Sequence, residues 1–467
     1  MGVGVSNWRL ARTVSQLGQL GVVSGTALDS LFVRRLAEGD PGGHMHRGLK
    51  AFPFPKMAAR VWQEYFVAGG KSAQSAYTPL PMHQRRAPRK LIELCMVSNF
   101  VEVFLAREGH SNPVGMNYLE KVQMPHLYSI YGAMLAGVGY VLMGAGIPLH
   151  IPGVLDALAA RRPAEYRLQV TGAPADLDTQ MRFDPAEYAE GPLPQLERPK
   201  FLAIVSSNTL AATMLRRASG RVDGFVIEGA TAGGHNAPPR GKLQLNAGGE
   251  PIYGERDRVG IPELRALNVP FWLAGGYGSP EKLREALDAG AAGVQVGTAF
   301  ALSRESGLRD DLKASILASA IAGSGKVFTD PLASPTGFPF KVVELAGSSF
   351  VPEIYQARRR VCDLGYLREP FVDADGKLAY RCAAEPVENY LAKEGKVEET
   401  EGRKCLCNAL LANVGHAQLR EDGAAEPPLV TLGDDLNTVT QFLEPGQTSY
   451  SAAQVVDTLL GHRAAST

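Results

Sequence analysis

"FWLAGGYGSPEKLREALDAGAAGVQVGT", Phe271–Thr298, contains the chain's plainest structural grammar. An apolar run ends in two glycines. Ser279 then stands as an N-cap with Pro280 at the first helical position, and a glycine closes the amphipathic stretch before a second apolar run begins. Strand, helix and strand in that order form a parallel unit. The strand runs are continuously apolar and do not alternate, so both faces are buried, as in a sheet wrapped by helices.

Outward from this stretch the same grammar recurs. "LGVVSG" (20–25), "PVGMNYL" (113–119), "YVLMGAG" (140–146), "FLAIVSS" (201–207) and "GFVIEG" (224–229) read as further strands separated by helical periodicity. With 271–276 and 293–298 the count is seven, one short of a closed (β/α)8 barrel. "GVGVSNWRLARTVSQLGQLG" has the form of a loop and helix that follow a first strand, yet only Met1 precedes it. The fold expected is a TIM (β/α)8-type barrel with its first strand missing or truncated; the alternative is that "LIELCMVS" (91–98) supplies the eighth. The barrel is expected over 1–345, with a Pro- and Gly-rich insertion at about 38–90, followed by a mainly helical, cysteine-containing module over 346–467.

Bulk composition narrows the function classes. Lys+Arg and Asp+Glu both number 48, so the chain lacks the net positive charge that nucleic acid demands. No uncharged apolar run approaches the ~18 residues of a membrane span. The start lacks a secretory signal pattern, and cysteine usage fits a reducing compartment, so the expected location is cytoplasmic. Nothing in the composition sets the oligomeric state.

In such a barrel the chemistry sits at the C-terminal ends of the strands. Gly275 and Gly276 follow one strand and Gly297 and Thr298 the next, leaving backbone N–H groups free to approach an anion, with the threonine hydroxyl as a further donor. These turns point to a phosphate-bearing cofactor; the alternative is that the glycines only cap buried strands. "GATAGGHNAPPRGK", Gly229–Lys242, presents His235 after Gly233 and Gly234 directly beyond another strand end. An imidazole with an ordinary pKa of about 6.5 suits a general acid or base.

Several of these motifs, in this order, resemble the nitronate monooxygenases (2-nitropropane dioxygenases) and the related FMN-dependent enoyl reductases of fatty-acid and polyketide synthesis. They are "GVSNWRLARTVSQLGQLGVVSG", "VGMN" (114–117), "EGATAGGH" (228–235) and "LAGGYGSPEKLREALDAGAAGVQVGTAF" (273–300). The resemblance covers roughly residues 1–345. It implies FMN, its phosphate on Gly275, Gly276, Gly297 and Thr298, its ring against the backbone of Gly2, Val3 and Gly4 and hydrogen-bonded by Asn117. It also implies that Gly234 brings the loop close to the flavin and that His235 is the catalytic acid or base. FMN is expected over FAD because no G-x-G-x-x-G fingerprint opens a βαβ unit. Two departures, "HNAPPRG" after the histidine and "VSSN" (205–208), both fall on the substrate side.

The activity the resemblance implies is oxidation of nitronates or nitroalkanes with dioxygen. Its alternatives are a trans-acting, NAD(P)H-dependent enoyl-thioester reductase and a non-catalytic flavin-binding redox or docking protein. Separately, Cys362, Cys382, Cys405 and Cys407 crowd into one short segment with the spacing C-x19-C-x22-C-x-C. They are candidate ligands for zinc or an iron–sulfur cluster. Buried thiols, or a redox dithiol at Cys405 and Cys407, are the alternatives. Cys95 lies in an apolar run and reads as core.

Overall fold

The structure is a computed structural model and describes residues 2–462. All seven strand runs form strands: β1 Gly21–Ser24, β2 Val114–Leu119, β3 Tyr140–Gly144, β4 Lys200–Val205, β5 Gly224–Glu228, β6 Phe271–Ala274 and β7 Gly293–Gln295. Among the described residues they make one parallel sheet whose spatial order is the chain order. That order, with helices in the connections, curls the sheet into a half-barrel.

Side chains alternate across it. Leu142, Leu202, Val226 and Ala274 pack inside with Val22, Tyr140, Ile204 and Trp272. Their chain neighbours Val141, Met143, Phe201, Ala203, Phe225, Ile227 and Leu273 face the helices in the main core. Burial on both faces accounts for the unbroken apolar runs.

The barrel is open between β1 and β7. The segment "LIELCMVS" does not close it, because these residues lie within the helix Arg89–Arg107. That helix is buried nearly all round, and an apolar run cannot by itself separate a buried helix from a buried strand. At the seam the N-terminal turn bonds the β1 edge, where Ser24 N–H donates to Ser6 O at 2.9 Å, and the segment that follows β7, where Gly307 N–H donates to Val5 O at 2.8 Å. Outside it, Ala452 of the helix Ala452–Leu459 packs on Leu10 and Val14 of the helix Trp8–Gln16.

The quoted segment folds as its residues dictate. The Ser279 side chain accepts the Lys282 N–H at 3.2 Å, Pro280 opens the helix Pro280–Asp288, and Gly290 takes φ +87° beyond its end. The segment 38–90 holds two helices, His44–Ala51 and Pro55–Tyr65, whose Met45, Leu49, Met57 and Val61 join the main core together with Phe52 between them.

The region after 345 is not mainly helical as expected: among the described residues it is largely irregular, with short helices such as Leu406–Asn413 and Ala452–Leu459 and one hairpin, Glu369–Val372 with Leu378–Arg381, where the run from Ala379 reads as helix in sequence. Residues 430–459 share a core with 299–345, through Leu302, Ile316 and Val343 against Val430, Leu436, Phe442 and Tyr450. Among the described residues no helix is long and apolar enough to cross a membrane.

Candidate functional site

The loop Gly229–His235 leaves the end of β5 and crosses the end of β6. A Cβ on Gly275 would meet Thr231 Oγ1 at 2.9 Å and the Ala232 nitrogen at 3.0 Å, and Gly275 and Gly276 have φ of +90° and +75°. These two positions therefore require glycine. Gly297, by contrast, faces open space: a Cβ there would meet no atom within 4 Å. The turns at 275–276 and 297 thus fit the cradle expected of a phosphate, with the open side at Gly297 and Thr231 packed against Gly275.

Thr298 departs from that expectation. Its hydroxyl donates to Asp435 Oδ1 at 2.6 Å and accepts the Gly433 N–H at 3.0 Å, so it is already engaged within the protein. Burial raises the Asp435 pKa. The segment Thr431–Asp435 runs across the loop before His235. Gly234 N–H donates to Thr431 Oγ1 at 2.8 Å, Asp434 N–H to Thr231 O at 3.0 Å, and Lys341 Nζ pairs with Asp434 Oδ1 at 2.7 Å. A Cβ on Gly233 would come within 2.8 Å of the Leu432 carbonyl carbon. Close approach at Gly233 is therefore to the C-terminal region. Gly234, at φ +86°, has no such neighbour.

His235 is fixed on three sides. Its backbone bridges to Phe340, with Lys341 N–H donating to Gly234 O and Asn236 N–H to Pro339 O. Nε2 is 2.7 Å from Ser334 Oγ, which in turn is 2.8 Å from Thr336 Oγ1. Phe340 packs edge-on to the ring at 4.9 Å between centroids, with Phe338 further out. Burial lowers the pKa of His235 to about 3, and the positive charge of Lys121 acts in the same direction. The imidazole is therefore neutral at working pH. It is a hydrogen-bonding group and a weak base, where an ordinary pKa would have made it a proton shuttle.

The titrating group near neutrality is one the sequence reading passed over. Glu228, the last residue of β5, has its pKa pushed up to about 7 by burial. No sequence signal marks it, since the shift comes from the surroundings that the fold builds. Ser334 and Asp435 were equally invisible, because each meets its partner across a long stretch of chain.

On the opposite side of the mouth, Asn117 lies in register between Ser24 and Leu142. Its carbonyl accepts the Gly25 N–H at 2.8 Å, and among the described residues nothing hydrogen-bonds its side-chain amide. The turn Gly2–Gly4 adjoins this edge: Val3 is buried, and Gly4 has φ +64° with Leu31 and Val414 against it. All of these residues gather at one end of the sheet, where the backbone cradle and the free amide fit FMN.

Elsewhere, Cys362, Cys382, Cys405 and Cys407 line a single cavity. Cys95 is buried as expected, its Sγ 3.7 Å from Asp29 Oδ2 beside the 2.8 Å His83–Asp29 pair.

The resemblance is borne out over residues 183–329, which match the family model described as nitronate monooxygenase. A curated relative, (3aS,4S,5R,7aS)-5-hydroxy-7a-methyl-1-oxo-octahydro-1H-indene-4-carboxyl-CoA dehydrogenase of Rhodococcus jostii (strain RHA1), is 30% identical over 120 residues. That match takes in 26% of this chain and spans 30% of the relative's length. Among solved structures the chain is similar to FabK from Thermotoga maritima, at 17% identity and TM-score 0.47 over 98% of this chain and 88% of that one. It is also similar to nitroalkane oxidase from Streptomyces ansochromogenes, at 14% identity and TM-score 0.46 over 99% and 93%.

Proposed function

Taking the nitronate monooxygenase match of residues 183–329 as premise, we propose that the chain is an FMN-dependent oxidoreductase that oxidises nitronates with dioxygen. When bound, FMN supplies the electron acceptor for that oxidation. Gly275, Gly276 and Gly297 would hold its phosphate through backbone N–H groups, the Asn117 amide would hydrogen-bond its ring, and the backbone of Gly2, Val3 and Gly4 would pack against it. Thr298 contributes by anchoring Asp435, since its hydroxyl is spent there.

The observation that carries the substrate reading is the state of His235. A neutral imidazole with Lys121 nearby makes a site for an anionic oxygen and a poor one for removing a C–H proton. A nitronate has already lost that proton and presents such an oxygen. His235 therefore orients substrate by donating a hydrogen bond, and Ser334 fixes the ring that does so. The test is anaerobic mixing of the flavin-loaded protein with an alkyl nitronate, its parent nitroalkane and NADPH in turn. Rapid flavin bleaching by the nitronate, slow bleaching by the nitroalkane and none by NADPH is the expected pattern.

A second reading is oxidoreduction of an acyl thioester, with FMN and NAD(P)H. Two observations favour it: the carboxyl-CoA in the name of the Rhodococcus relative, and Glu228, whose pKa of about 7 suits proton transfer at a carbon beside a thioester carbonyl. Bleaching by NADPH, with nitronate inert, would select this reading over the first.

A further inference from the structure

The four cysteines that crowd the sequence after residue 361 also converge in space. Cys362 follows the helix Pro352–Ala357, Cys382 follows the hairpin, and Cys405 and Cys407 stand at the start of the helix Leu406–Asn413. Together with Pro335, Leu364, Gly365, Leu367, Ala384 and Leu406 they line one cavity. All four are free thiols.

The spacing of the sulfurs discriminates between occupants. Among the described residues, the only three potential ligand atoms lying within 4.8 Å of one another are those of Asp29, His83 and Cys95. No three of the four sulfurs are therefore that close. A single tetrahedral zinc ion, with Zn–S bonds of about 2.3 Å, draws its sulfurs to roughly 3.8 Å apart. As a set the four sulfurs are spread more widely than that, which suits a group with several metal atoms between them.

The surroundings suit thiolates. Backbone N–H groups of Tyr366 and Leu367 hydrogen-bond Cys407, that of Ala384 bonds Cys382, and that of Asn408 bonds Cys405. Asn408 Nδ2 adds a contact to the Cys405 sulfur at 3.5 Å. Arg358 lies near Cys405 and Arg368 near Cys362. The Arg358 side chain is only 8% exposed, and its Nη2 has no hydrogen-bond partner. Arg358 is paired with the buried Glu426 through Nε, and its free Nη2 leaves a donor available near the Cys405 sulfur.

We propose that Cys362, Cys382, Cys405 and Cys407 ligate an iron–sulfur cluster. Four Fe–S bonds replace four S–H bonds, and the thiol protons leave to solvent. The cluster lies directly behind the candidate active site: Pro335 lines its cavity, and the preceding residue, Ser334, holds His235 Nε2 at 2.7 Å.

The test is chemical analysis of full-length protein isolated anaerobically from iron-replete cells, and its readouts do not depend on the substrate reading. The expected result is about four iron and about four acid-labile sulfide per chain for a four-iron cluster, or about two of each for a two-iron cluster. Reduction with dithionite should then produce an electron paramagnetic resonance signal. Cys405→Ser and Cys407→Ser should lose iron, whereas Cys95→Ala, outside the cavity, should keep it. One zinc per chain, or four maleimide-reactive thiols in folded, iron-free protein, overturns the proposal. If the serine variants do not fold, the metal and sulfide content of the unaltered protein decides alone.

Discussion

Thr298 and Asp435, 137 residues apart in sequence, share a 2.6 Å hydrogen bond at the strand end where an anionic phosphate is expected. An ionised carboxylate there opposes a phosphate, whereas a protonated one does not. Burial raises the Asp435 pKa, so the neutral form persists to higher pH than in an exposed aspartate. FMN affinity should therefore fall as pH rises through the Asp435 pKa. Asp435→Asn, which keeps an acceptor for Thr298, should bind FMN more tightly at neutral pH and with little pH dependence. Flavin fluorescence titrations at several pH values check this; a steeper dependence in the variant would contradict it.

His235→Asn should keep its flavin and lose about 10²–10³-fold in kcat/KM on a nitronate, in the range of losing one well-placed donor to an oxyanion. Its low pKa also has a stability consequence. The folded value is about 3 and the unfolded value about 6.5, so the unfolded chain binds the extra proton between them. The stability tied to the neutral ring is fully present above the unfolded pKa and is lost as pH falls toward 3. The asparagine variant should show a shallower loss over that window in denaturant titrations.

Glu228→Gln separates the two carriers of pH dependence. With the Glu228 carboxyl pushed up to about 7 and the His235 imidazole neutral, an inflection in kcat/KM near neutrality is expected from Glu228. The glutamine variant should flatten the profile there. Persistence of the inflection would assign it to another group.

Two glycines in neighbouring turns should respond oppositely. Gly233→Ala drives a Cβ into the Leu432–Gly433 backbone and should destabilise the fold by about 1–3 kcal/mol, the range of an overpacked contact. Gly297→Ala meets no protein atom, at a φ of −113° that alanine adopts freely, and should melt like the parent. It should nevertheless retain less FMN, because its Cβ enters the space assigned to phosphate. Thermal melts and flavin content measured on both variants test the pair.

How much was legible follows from the range of each interaction. The seven strands could be read because burial on both faces leaves unbroken apolar runs, and the helix after Ser279 because its cap and proline are local. Helix Arg89–Arg107 was ambiguous because burial all round erases the periodicity that distinguishes helix from strand. The hairpin around Asp373–Gly376 carried a local signal, "DADG" between apolar flanks, which the nearby helical periodicity outweighed. Ser334 beside His235, Asp435 on Thr298 and the convergence of the cysteines are long-range contacts, for which one sequence holds no marker. The neutrality of His235 arises from burial and could not be read from residue type.

If these strand ends form an FMN site, the cofactor that the protein retains and releases identifies it. Protein reconstituted with a mixture of FMN and FAD, washed and heat-denatured, should release about one FMN per chain on chromatography and no FAD. The same treatment of Gly297→Val should release much less. Release of FAD, or a colourless protein after reconstitution, would contradict the account.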